Sequence, residues 1–345
     1  MSERKRVGVV LFQLGGPDSP AAVEPFLYNL FCDPDIIPLG ALGGVLRRPL
    51  AWYISHRRAR TVAEHYKAIG GHSPIRLLTE RQARALEAAL QPHVDPLVVV
   101  AMRYWHPLTE EAVRQINGSA LDHLVLLPLY PQYSYATTGS SLKEWRRLHT
   151  PGRPPLPLHV IEHFYNHPQY IEALVEKIAI SLTHFDGPGE VHLVFSAHGL
   201  PLSLIERGDP YQRQVEATVR LVIERGAEWA SRAGKGEDWP RAHTLCYQSK
   251  VGRQKWLEPS LTERIERLAR AGTKPMLVVP ISFVTEHIET LHEINIEARE
   301  EAGKLGVEQF EMMPALGDSP RFIAALADLV LRAVGVEAAI SAAAE

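Results

Sequence analysis

The strongest constraint on the fold is an alternation of short apolar runs with longer amphipathic segments along almost the whole chain. Short runs rich in β-branched and aliphatic residues are typical of buried strands. The runs are VGVVLF (7 to 12), LVVVAM (97 to 102), HLVLLPL (123 to 129), VHLVF (191 to 195), HTLCY (243 to 247) and MLVVPI (276 to 281). Helical periodicity occupies 76 to 90, 108 to 116, 167 to 182, 210 to 231, 261 to 271 and 319 to 334. This order predicts an α/β protein with parallel sheets.

The chain has 345 residues, enough for two such units. The Pro-rich segment PGRPPLPLHV, which begins at Pro151, is the best candidate for the crossing between them. We predict two Rossmann-like domains facing each other across a cleft. The expected boundaries are 1–155 for the N-terminal domain, 156–318 for the C-terminal domain, and 319–345 for a final helix and tail.

Open parallel sheets bind ligands beyond the carboxyl ends of their strands. Every predicted strand is followed by residues that can bind a ligand or exchange protons: QLGGPDS, RYWHP, YPQYSYATTGSS, SAHGLP, QSKVG and SFVTEHIE. The glycines after the first strand lack the spacing of a nucleotide-binding loop. The sequence therefore predicts a small-molecule site at these strand ends.

The segment from Pro280 to Arg299 combines several carboxylates with two histidines behind an apolar strand. At helical pitch, one stripe would carry Glu286, Glu289, Glu293, Glu297 and Glu300. Each like-charge pair at this spacing costs an isolated helix roughly 0.2–0.5 kcal/mol. A cation held against the row is one interpretation, and a solvated helix face is the other.

His198 follows the fourth apolar run and precedes a Gly-Leu-Pro turn. An imidazole at a strand end can ligate a first-row metal or accept a proton near neutral pH, although a structural role is equally compatible with the pattern. One imidazole with carboxylates such as Glu289, and no thiolate, favours Fe(II) or Mn(II) over a structural zinc.

Two segments near the amino terminus could contact a ligand. Residues 37–54, IPLGALGGVLRRPLAWYI, form an apolar lip that could cap the cleft, belong to the core, or rest on a membrane surface. The basic segment that follows carries Arg58, Tyr66 and Ser73. Its arginines suit an anionic ligand or a solvated helix face.

Composition excludes several classes of function. A net charge of −3 gives no electrostatic footprint for nucleic acid. No run reaches the length of a membrane span. The two cysteines, Cys32 and Cys246, supply neither a disulfide framework nor a thiolate metal site, so a reducing cytoplasm fits best.

Taken together, these segments resemble the ferrochelatase family, whose members insert ferrous iron into a porphyrin as the last step of haem synthesis. The resemblance runs from LGGPDS through LYNLFCDPDII, HYKAIGGHSPI, RYWHPLTEEA and YPQYSYATTGSS to SAHGLP, YQSKVG and PISFVTEHIETLHEINIE. It implies the chelatase fold, with protoporphyrin IX and ferrous iron as partners and a porphyrin bound in the cleft.

The resemblance also implies roles for individual residues. His198 and Glu289 would be catalytic and would bind the metal, with His287 as a further catalytic residue. Glu286, Glu293 and Glu297 would form a proton or metal channel. The implied porphyrin-binding residues are Leu14, Arg58, Tyr66, Ser73, Arg103, Tyr104, Trp256 and Phe283.

This chain departs from the family pattern in ways that bear on cofactors. Tyr135 stands where cluster-bearing relatives place a cysteine, and no cysteine follows Cys246. The resemblance therefore implies a form without an iron-sulfur cluster, requiring nothing beyond substrate Fe(II). Gln13 and Glu286 replace a frequent Asn and a frequent Asp, which leaves the porphyrin fit open.

Other readings stay open at this point. The chain could be a related chelatase that acts on coproporphyrin or on a cobalt-accepting sirohydrochlorin, or a non-catalytic haem or metal carrier. The expected location is the cytoplasm, with peripheral contact at the inner face of the membrane through the lip as an additional expectation. The sequence does not indicate an oligomeric state.

Overall fold

Parallel sheets form as the apolar runs predict, and each of the two sheets contains four strands. The computed structural model describes residues 4–34, 36–37, 39, 43–152, 155–187, 190–250, 254–273 and 275–336. The first sheet consists of β1 (Arg6–Gln13), β2 (Asp95–Met102), β3 (His123–Pro128) and β4 (Leu158–Val160), in the order β2-β1-β3-β4. The second consists of β5 (His192–His198), β6 (His243–Gln248), β7 (Pro275–Pro280) and β8 (Gln309–Met312), in the order β6-β5-β7-β8. The two sheets therefore have the same topology: in each, the second strand along the chain lies at one edge and is followed by the first, third and fourth.

Helices occupy the segments between strands, as the periodicity predicts. Within the described residues they are α1 (Val23–Phe31), α2 (Gly43–Ala68), α3 (Ile75–Leu90), α4 (Thr109–Asn117), α5 (Ser140–Leu148), α6 (Pro168–Leu182), α7 (Leu202–Glu206), α8 (Tyr211–Arg232), α9 (Leu261–Arg270), α10 (Arg299–Lys304) and α11 (Pro320–Ala333). A 3-10 turn spans Pro20–Ala22, and π-helical segments span Tyr135–Gly139 and Glu289–Ala298. No helix of the described residues combines the length and apolarity that a membrane span needs.

β4 and β8, each at one edge of its sheet, are absent from the sequence prediction. They are short, and β4 is largely exposed, so neither needs the continuous apolar run of a central strand. The boundary predicted after residue 155 lies before β4, which pairs with β3 through Leu126 and Val160.

The chain divides into two compact units. The first comprises the described parts of Met1–Tyr130, Ser134–His163 and Phe322–Glu345, and the second comprises Pro131–Tyr133 and Phe164–Arg321. The final helix therefore belongs mainly to the first unit. The predicted tail beyond residue 336 lies outside the described residues.

The core of the second unit fixes the orientation of the acidic segment. Ile294 and Ala298 of the π-helix are buried in one cluster with Val194 of β5 and Val278 of β7. Burying an aliphatic side chain of this size contributes roughly 1.5–3 kcal/mol. This packing attaches one face of the π-helix to the sheet and leaves its carboxylates on other faces.

Candidate active site at the carboxyl edge of the second sheet

The candidate site lies where the strand order of the second sheet reverses. β5 is hydrogen-bonded to β6 on one side and to β7 on the other. The chain therefore leaves β5 and β7 in different directions, the arrangement at which α/β sheets bind ligands. His198 is the last residue of β5, and Ser282 and Phe283 follow β7.

Hydrogen bonds hold His198 from three sides. Its backbone N–H donates to Oγ of Ser282 at 3.0 Å, and its carbonyl oxygen accepts from the Tyr211 hydroxyl at 3.0 Å. Its Nδ1 lies 2.5 Å from the carbonyl oxygen of Gly199. Because a carbonyl only accepts, Nδ1 carries the hydrogen, and Nε2 of the neutral ring keeps a free lone pair.

Gly199 is required by close packing at this strand end. A Cβ at this position would lie 2.8 Å from the carbonyl oxygen of Gln248 and 3.3 Å from Cε3 of Trp256. Its N–H donates to that same Gln248 oxygen at 2.7 Å. Trp256, a predicted porphyrin-binding residue, is half-buried against this turn.

One carboxylate oxygen faces two imidazoles. Oε2 of Glu289 lies 3.5 Å from Nε2 of His198 and 3.9 Å from Nε2 of His287. Nδ1 of His287 lies 3.1 Å from the carbonyl oxygen of Thr285, so Nε2 is the nitrogen that is left to accept a proton. The Phe283 ring centroid is 4.6 Å from that of His287 and 6.4 Å from that of His198. The structure thus brings these four predicted residues together.

The acidic segment differs from the predicted stripe in two respects. Its helix is a π-helix, Glu289–Ala298, a form that is rare and frequently found at functional sites. Glu286 lies in the preceding loop, and Glu300 lies in α10. The Glu286 carboxylate accepts from the Thr290 hydroxyl and, at 2.6 Å, from the backbone N–H of Ala315. The expected position of Glu286 on the stripe is therefore wrong, because its carboxylate oxygens accept hydrogen bonds from Thr290 at the start of the helix and from the loop at Ala315.

Glu293 is joined to Glu289 through a single hydroxyl. Oγ of Ser249 lies 3.1 Å from Oε2 of Glu289 and forms a shorter contact with Oε2 of Glu293. Gln248 connects the same groups, since its Nε2 donates to the Glu289 carbonyl oxygen at 2.9 Å. Its Oε1 accepts from Oγ of Ser196 at 2.6 Å, which ties this network to β5.

Burial, followed in size by the nearby charge of Glu289, raises the pKa of Glu293 from its ordinary value of 4.5 to about 7. The Ser249 hydrogen bond and the proximity of His198 oppose this rise in pKa but do not cancel it. Glu293 can therefore take up or release a proton close to neutral pH. Glu297, on the following turn, has a side chain that is 53% exposed, so the acidic row reaches solvent.

Two of the predicted porphyrin-binding residues belong to a network around a buried carboxylate of the first unit. Oδ2 of Asp33 accepts from the Tyr104 hydroxyl at 2.7 Å, from Arg103 Nη2 at 2.8 Å and from the Ser140 hydroxyl at 2.8 Å. Tyr104 is fully buried. Its hydroxyl is engaged by Asp33, and its contact with porphyrin stays a prediction. The Arg103 side chain keeps 17% exposure but pairs with the same oxygen.

Two further predicted ligands of the porphyrin are also buried. Tyr66 is 3% exposed and Ser73 is 4% exposed. Ser73 packs closely against the turn that follows β1, since a Cβ on Gly16 would lie 2.6 Å from the hydroxyl oxygen of Ser73. Both side chains have little exposed surface, and their contact with a porphyrin stays a prediction. Ser73 also accounts for the glycine at position 16.

Of the other predicted porphyrin-binding residues of the first unit, Arg58 is exposed and Leu14 is half-buried. Arg58 lies exposed on α2, with Cζ 5.8 Å from the ring centroid of Phe31. Leu14 follows β1, and its carbonyl oxygen accepts from the N–H of Tyr104 at 3.0 Å. Both residues belong to the first unit.

The described part of the apolar lip, residues 37, 39 and 43–54, is helical from Gly43 onward. Val45 is 80% exposed and Trp52 is 58% exposed, whereas Ala51 is buried. These two large side chains are therefore not core residues. Residues 38 and 40–42 lie outside the described residues.

Sequence reasoning missed several residues that position this site, namely Ser196, Tyr211, Gln248, Ser249 and Ser282. Three of them lie in strand-end segments that were recognised as polar, QSKVG and SFVTEHIE. Their partners could not be read from these segments, because each contact joins residues far apart in the chain. Ser249 also has a left-handed backbone conformation, with a φ of 64°, which its residue type does not indicate.

Comparisons with known proteins identify the family and the fold of this chain. A model of the family described as Ferrochelatase matches residues 6–334. A ferrochelatase of Parasynechococcus marenigrum (strain WH8102) is 47% identical, over 99% of this chain and 86% of that relative. One from Gloeobacter violaceus (strain ATCC 29082 / PCC 7421) is 46% identical, over 96% of this chain and 98% of the relative. The solved structure of SirB from Bacillus subtilis with Fe3+ has a TM-score of 0.52 at 12% identity, over 96% of this chain and 94% of that one, and shares the fold.

Proposed function

The chain belongs to the ferrochelatase family, and we propose that it inserts ferrous iron into protoporphyrin IX at the site built around His198, Glu289 and Glu293. Family membership makes it an enzyme, a metal chelatase of the lyase class in haem biosynthesis. The observation that carries the assignment of the site is the approach of Nε2 of His198 to the Glu289 carboxylate at 3.5 Å. A carrier has no need of such a paired proton acceptor.

His198 takes a pyrrole proton in this proposal. Its Nδ1–H is held by the Gly199 carbonyl oxygen, which leaves the Nε2 lone pair to accept the proton. The imidazolium that forms would be stabilised by the carboxylate of Glu289. Glu289 and His198 are also the groups to which we assign the incoming Fe(II).

The acidic row provides a path by which protons released from the porphyrin reach solvent. Metal insertion converts a neutral porphyrin and Fe(II) into neutral haem and two protons. Glu293, with a pKa of about 7, can hold a proton near neutral pH, and the exposed Glu297 follows it toward solvent. Cations could enter along the same carboxylates, which are the oxygen ligands that divalent metals accept.

Porphyrin binding is assigned to the accessible residues alone. Phe283 offers an aromatic edge beside both histidines, and Arg58 offers an exposed guanidinium that suits a propionate. Leu14 and the half-buried Trp256 supply apolar surface. Binding energy from such contacts can offset the cost of bending the macrocycle, which exposes its pyrrole protons.

We further propose that the chain works without an iron-sulfur cluster. A cluster requires about four protein ligands, most of them thiolates. The chain contains two cysteines, Cys32 and Cys246. Cys246 is buried, and burial raises the pKa of its thiol to about 12, which keeps it protonated.

Contact with a membrane surface is a separate proposal, supported by the exposed face of α2. Val45 and Trp52 are exposed there, and the basic residues Arg48 and Arg57 are exposed on the same helix. Apolar side chains flanked by arginines suit the interface of an anionic bilayer. Sedimentation with vesicles should show binding that increases with anionic lipid and decreases in Trp52→Ala, whereas equal sedimentation of both proteins would exclude this face. The cytoplasmic location stays a prediction.

Substrate identity is tested by comparing porphyrins. Anaerobic assays with Fe(II) should give a higher kcat/KM with protoporphyrin IX than with coproporphyrin III, because the proposed contacts are mainly apolar and a single exposed arginine is assigned to carboxylates. A preference for coproporphyrin would reassign the substrate but keep the reaction. Porphyrin binding without any turnover would support the carrier.

A further inference from the structure

Two histidines face each other near the amino end of the first sheet. His123 is the first residue of β3, and His159 lies at the centre of the short strand β4. Nδ1 of His123 lies 3.1 Å from Nε2 of His159, and the two ring centroids are 5.3 Å apart. Both side chains are half-buried. Neither histidine takes part in the proposed metal insertion, so the pair needs an explanation of its own.

The sheet determines how these two rings approach each other. Val125 of β3 pairs with His159 of β4 in parallel register, and the N–H of Leu124 donates to the carbonyl oxygen of Pro157 at 2.9 Å. His123 lies two residues before Val125, and side chains two residues apart along a strand point to the same face of the sheet. The two imidazoles are therefore held on one face by neighbouring, hydrogen-bonded strands.

The facing nitrogens require a positive centre between them. Each nitrogen of a neutral imidazole carries either a hydrogen or a lone pair. Two lone pairs at 3.1 Å would repel each other, so the space holds either a hydrogen donated by one ring or a cation bound by both. Zn–N bonds of about 2.0–2.1 Å at a tetrahedral angle place two nitrogen ligands about 3.3–3.4 Å apart. The observed separation therefore needs only a small adjustment to become that of a chelate.

The charges around the pair oppose each other. The ammonium group of Lys5 and the carboxylate of Asp122 act on His123 with opposite sign. Both groups are also held by the backbone, since Nζ of Lys5 donates to the carbonyl oxygen of Val334 at 2.8 Å and Oδ2 of Asp122 accepts from the N–H of Arg6 at 2.7 Å. Their effects on a bound cation offset each other, so affinity for a metal comes from the imidazole nitrogens.

We propose that His123 and His159 together bind Zn(II), at a site in the first unit, whereas metal insertion is assigned to the second. Neutral imidazole is a ligand that suits zinc, and zinc binds such nitrogen ligands more tightly than Fe(II) does. The hydrogen that one ring donates in the metal-free protein moves through water to the other nitrogen of the same ring. Both facing nitrogens then offer lone pairs to the metal, and water molecules complete the tetrahedral shell.

This site is remote from the porphyrin-binding residues assigned to the carboxyl end of the same sheet. β3 runs from His123 to Pro128, a rise of about 16 Å at 3.3 Å per residue. Leu14 follows β1 at the opposite end of the sheet. Substitutions in the histidine pair should therefore leave Fe(II) insertion intact.

The test counts the zinc ions bound by the full chain. Protein freed of metal with a chelator is titrated with Zn(II) in a calorimeter, for the wild type, His159→Ala, His159→Gln and the control His93→Ala. Glutamine keeps a polar side chain that can hydrogen-bond to His123, but it lacks the imidazole nitrogen that zinc prefers. His93 is an exposed histidine of the same unit.

We expect the wild type and His93→Ala to bind one more zinc ion per chain than either His159 variant. The Kd of this ion should be about 1–100 µM, weaker than that of a four-ligand structural site because only two protein ligands hold it. His198→Ala should keep this ion, since it changes a different site. Both His159 variants should keep kcat for Fe(II) insertion within about twofold of the wild type.

Three results would overturn the proposal. Equal zinc stoichiometry in the wild type and in both His159 variants would show that a hydrogen bond alone joins the pair. Loss of the ion in His159→Ala but not in His159→Gln would assign the effect to the geometry of β4 and not to a zinc ligand. A large fall in kcat in both His159 variants would contradict the separation of this site from the reaction.

Discussion

Nε2 of His198 lies 3.5 Å from Oε2 of Glu289, and Nε2 of His287 lies 3.9 Å from the same oxygen. Each imidazole donates from Nδ1 to a backbone carbonyl, so the nitrogen that is left to accept a proton faces the same carboxylate in both rings. A proton arriving on either ring would be stabilised by that charge. The arrangement combines two proton acceptors with a single anion beside the ring of Phe283.

Glu289→Gln should abolish most turnover. The amide keeps the size of the side chain but removes the charge that stabilises the imidazolium, so we expect kcat to fall by roughly 100-fold or more. Porphyrin affinity, measured by fluorescence titration, should be nearly unchanged. Glu300→Gln, an exposed position on α10, is the control and should retain activity within about twofold. Wild-type kcat in Glu289→Gln would remove this residue from the chemistry.

Glu293→Gln should stabilise the protein at alkaline pH. The pKa of Glu293 is raised from 4.5 to about 7, so the folded state favours the protonated carboxyl. The wild type is therefore fully stable with respect to this group below about pH 4.5 and loses stability as pH rises through about 7. A neutral glutamine avoids that loss, which we estimate as on the order of 2–3 kcal/mol. Denaturant unfolding at pH 5 and pH 8 measures it, and an equal difference at both pH values would contradict the raised pKa.

The central elements could be predicted from the sequence because their burial imposes a pattern. The six apolar runs are six of the strands, and His198 falls at a strand end as expected. The edge strands β4 and β8 left no pattern because they have only 3 and 4 residues, and between them they bury a single residue, Phe310. The π-helix also left none, since an apolar spacing of three and four residues does not distinguish it from an α-helix.

Glu286→Ala should lower the free energy of unfolding without raising the KM for Fe(II). Its carboxylate accepts from the Thr290 hydroxyl and from the buried N–H of Ala315. Leaving that N–H unpaired costs about 1–3 kcal/mol. Glu286→Gln keeps an acceptor oxygen and should lose less. The free energy of unfolding and the KM for Fe(II) are both measured. A large increase in KM with unchanged stability would restore Glu286 to the predicted channel.

Asp33→Ala should be strongly destabilising, because it leaves Arg103 and the hydroxyls of Tyr104 and Ser140 without their shared acceptor. Removing one partner of a buried ion pair typically costs about 3–5 kcal/mol. The control is Glu266→Ala, which breaks an exposed pair with Arg270 and should cost less than about 1 kcal/mol. Equal losses in denaturant unfolding would show that the Asp33 network contributes no more than a surface pair.

The site was predicted less completely than the fold for a physical reason. Residue types and strand ends indicated His198 and Glu289, because strand ends converge in a parallel sheet, whereas Phe283 was implied only by the resemblance to the family. They could not indicate that Tyr104 is buried on Asp33, since that contact depends on long-range packing. The link through Ser249 likewise depends on a backbone conformation with no signature in residue type.

The most direct test of the account is anaerobic Fe(II) insertion into protoporphyrin by the wild type and by His198→Ala, followed by loss of porphyrin fluorescence. His184→Ala, an exposed histidine in the same unit, is the matched control. We predict turnover by the wild type and the control, and a loss of roughly 100-fold or more in His198→Ala with porphyrin binding retained. Turnover by His198→Ala at the wild-type rate would contradict the assignment of His198 as the proton acceptor.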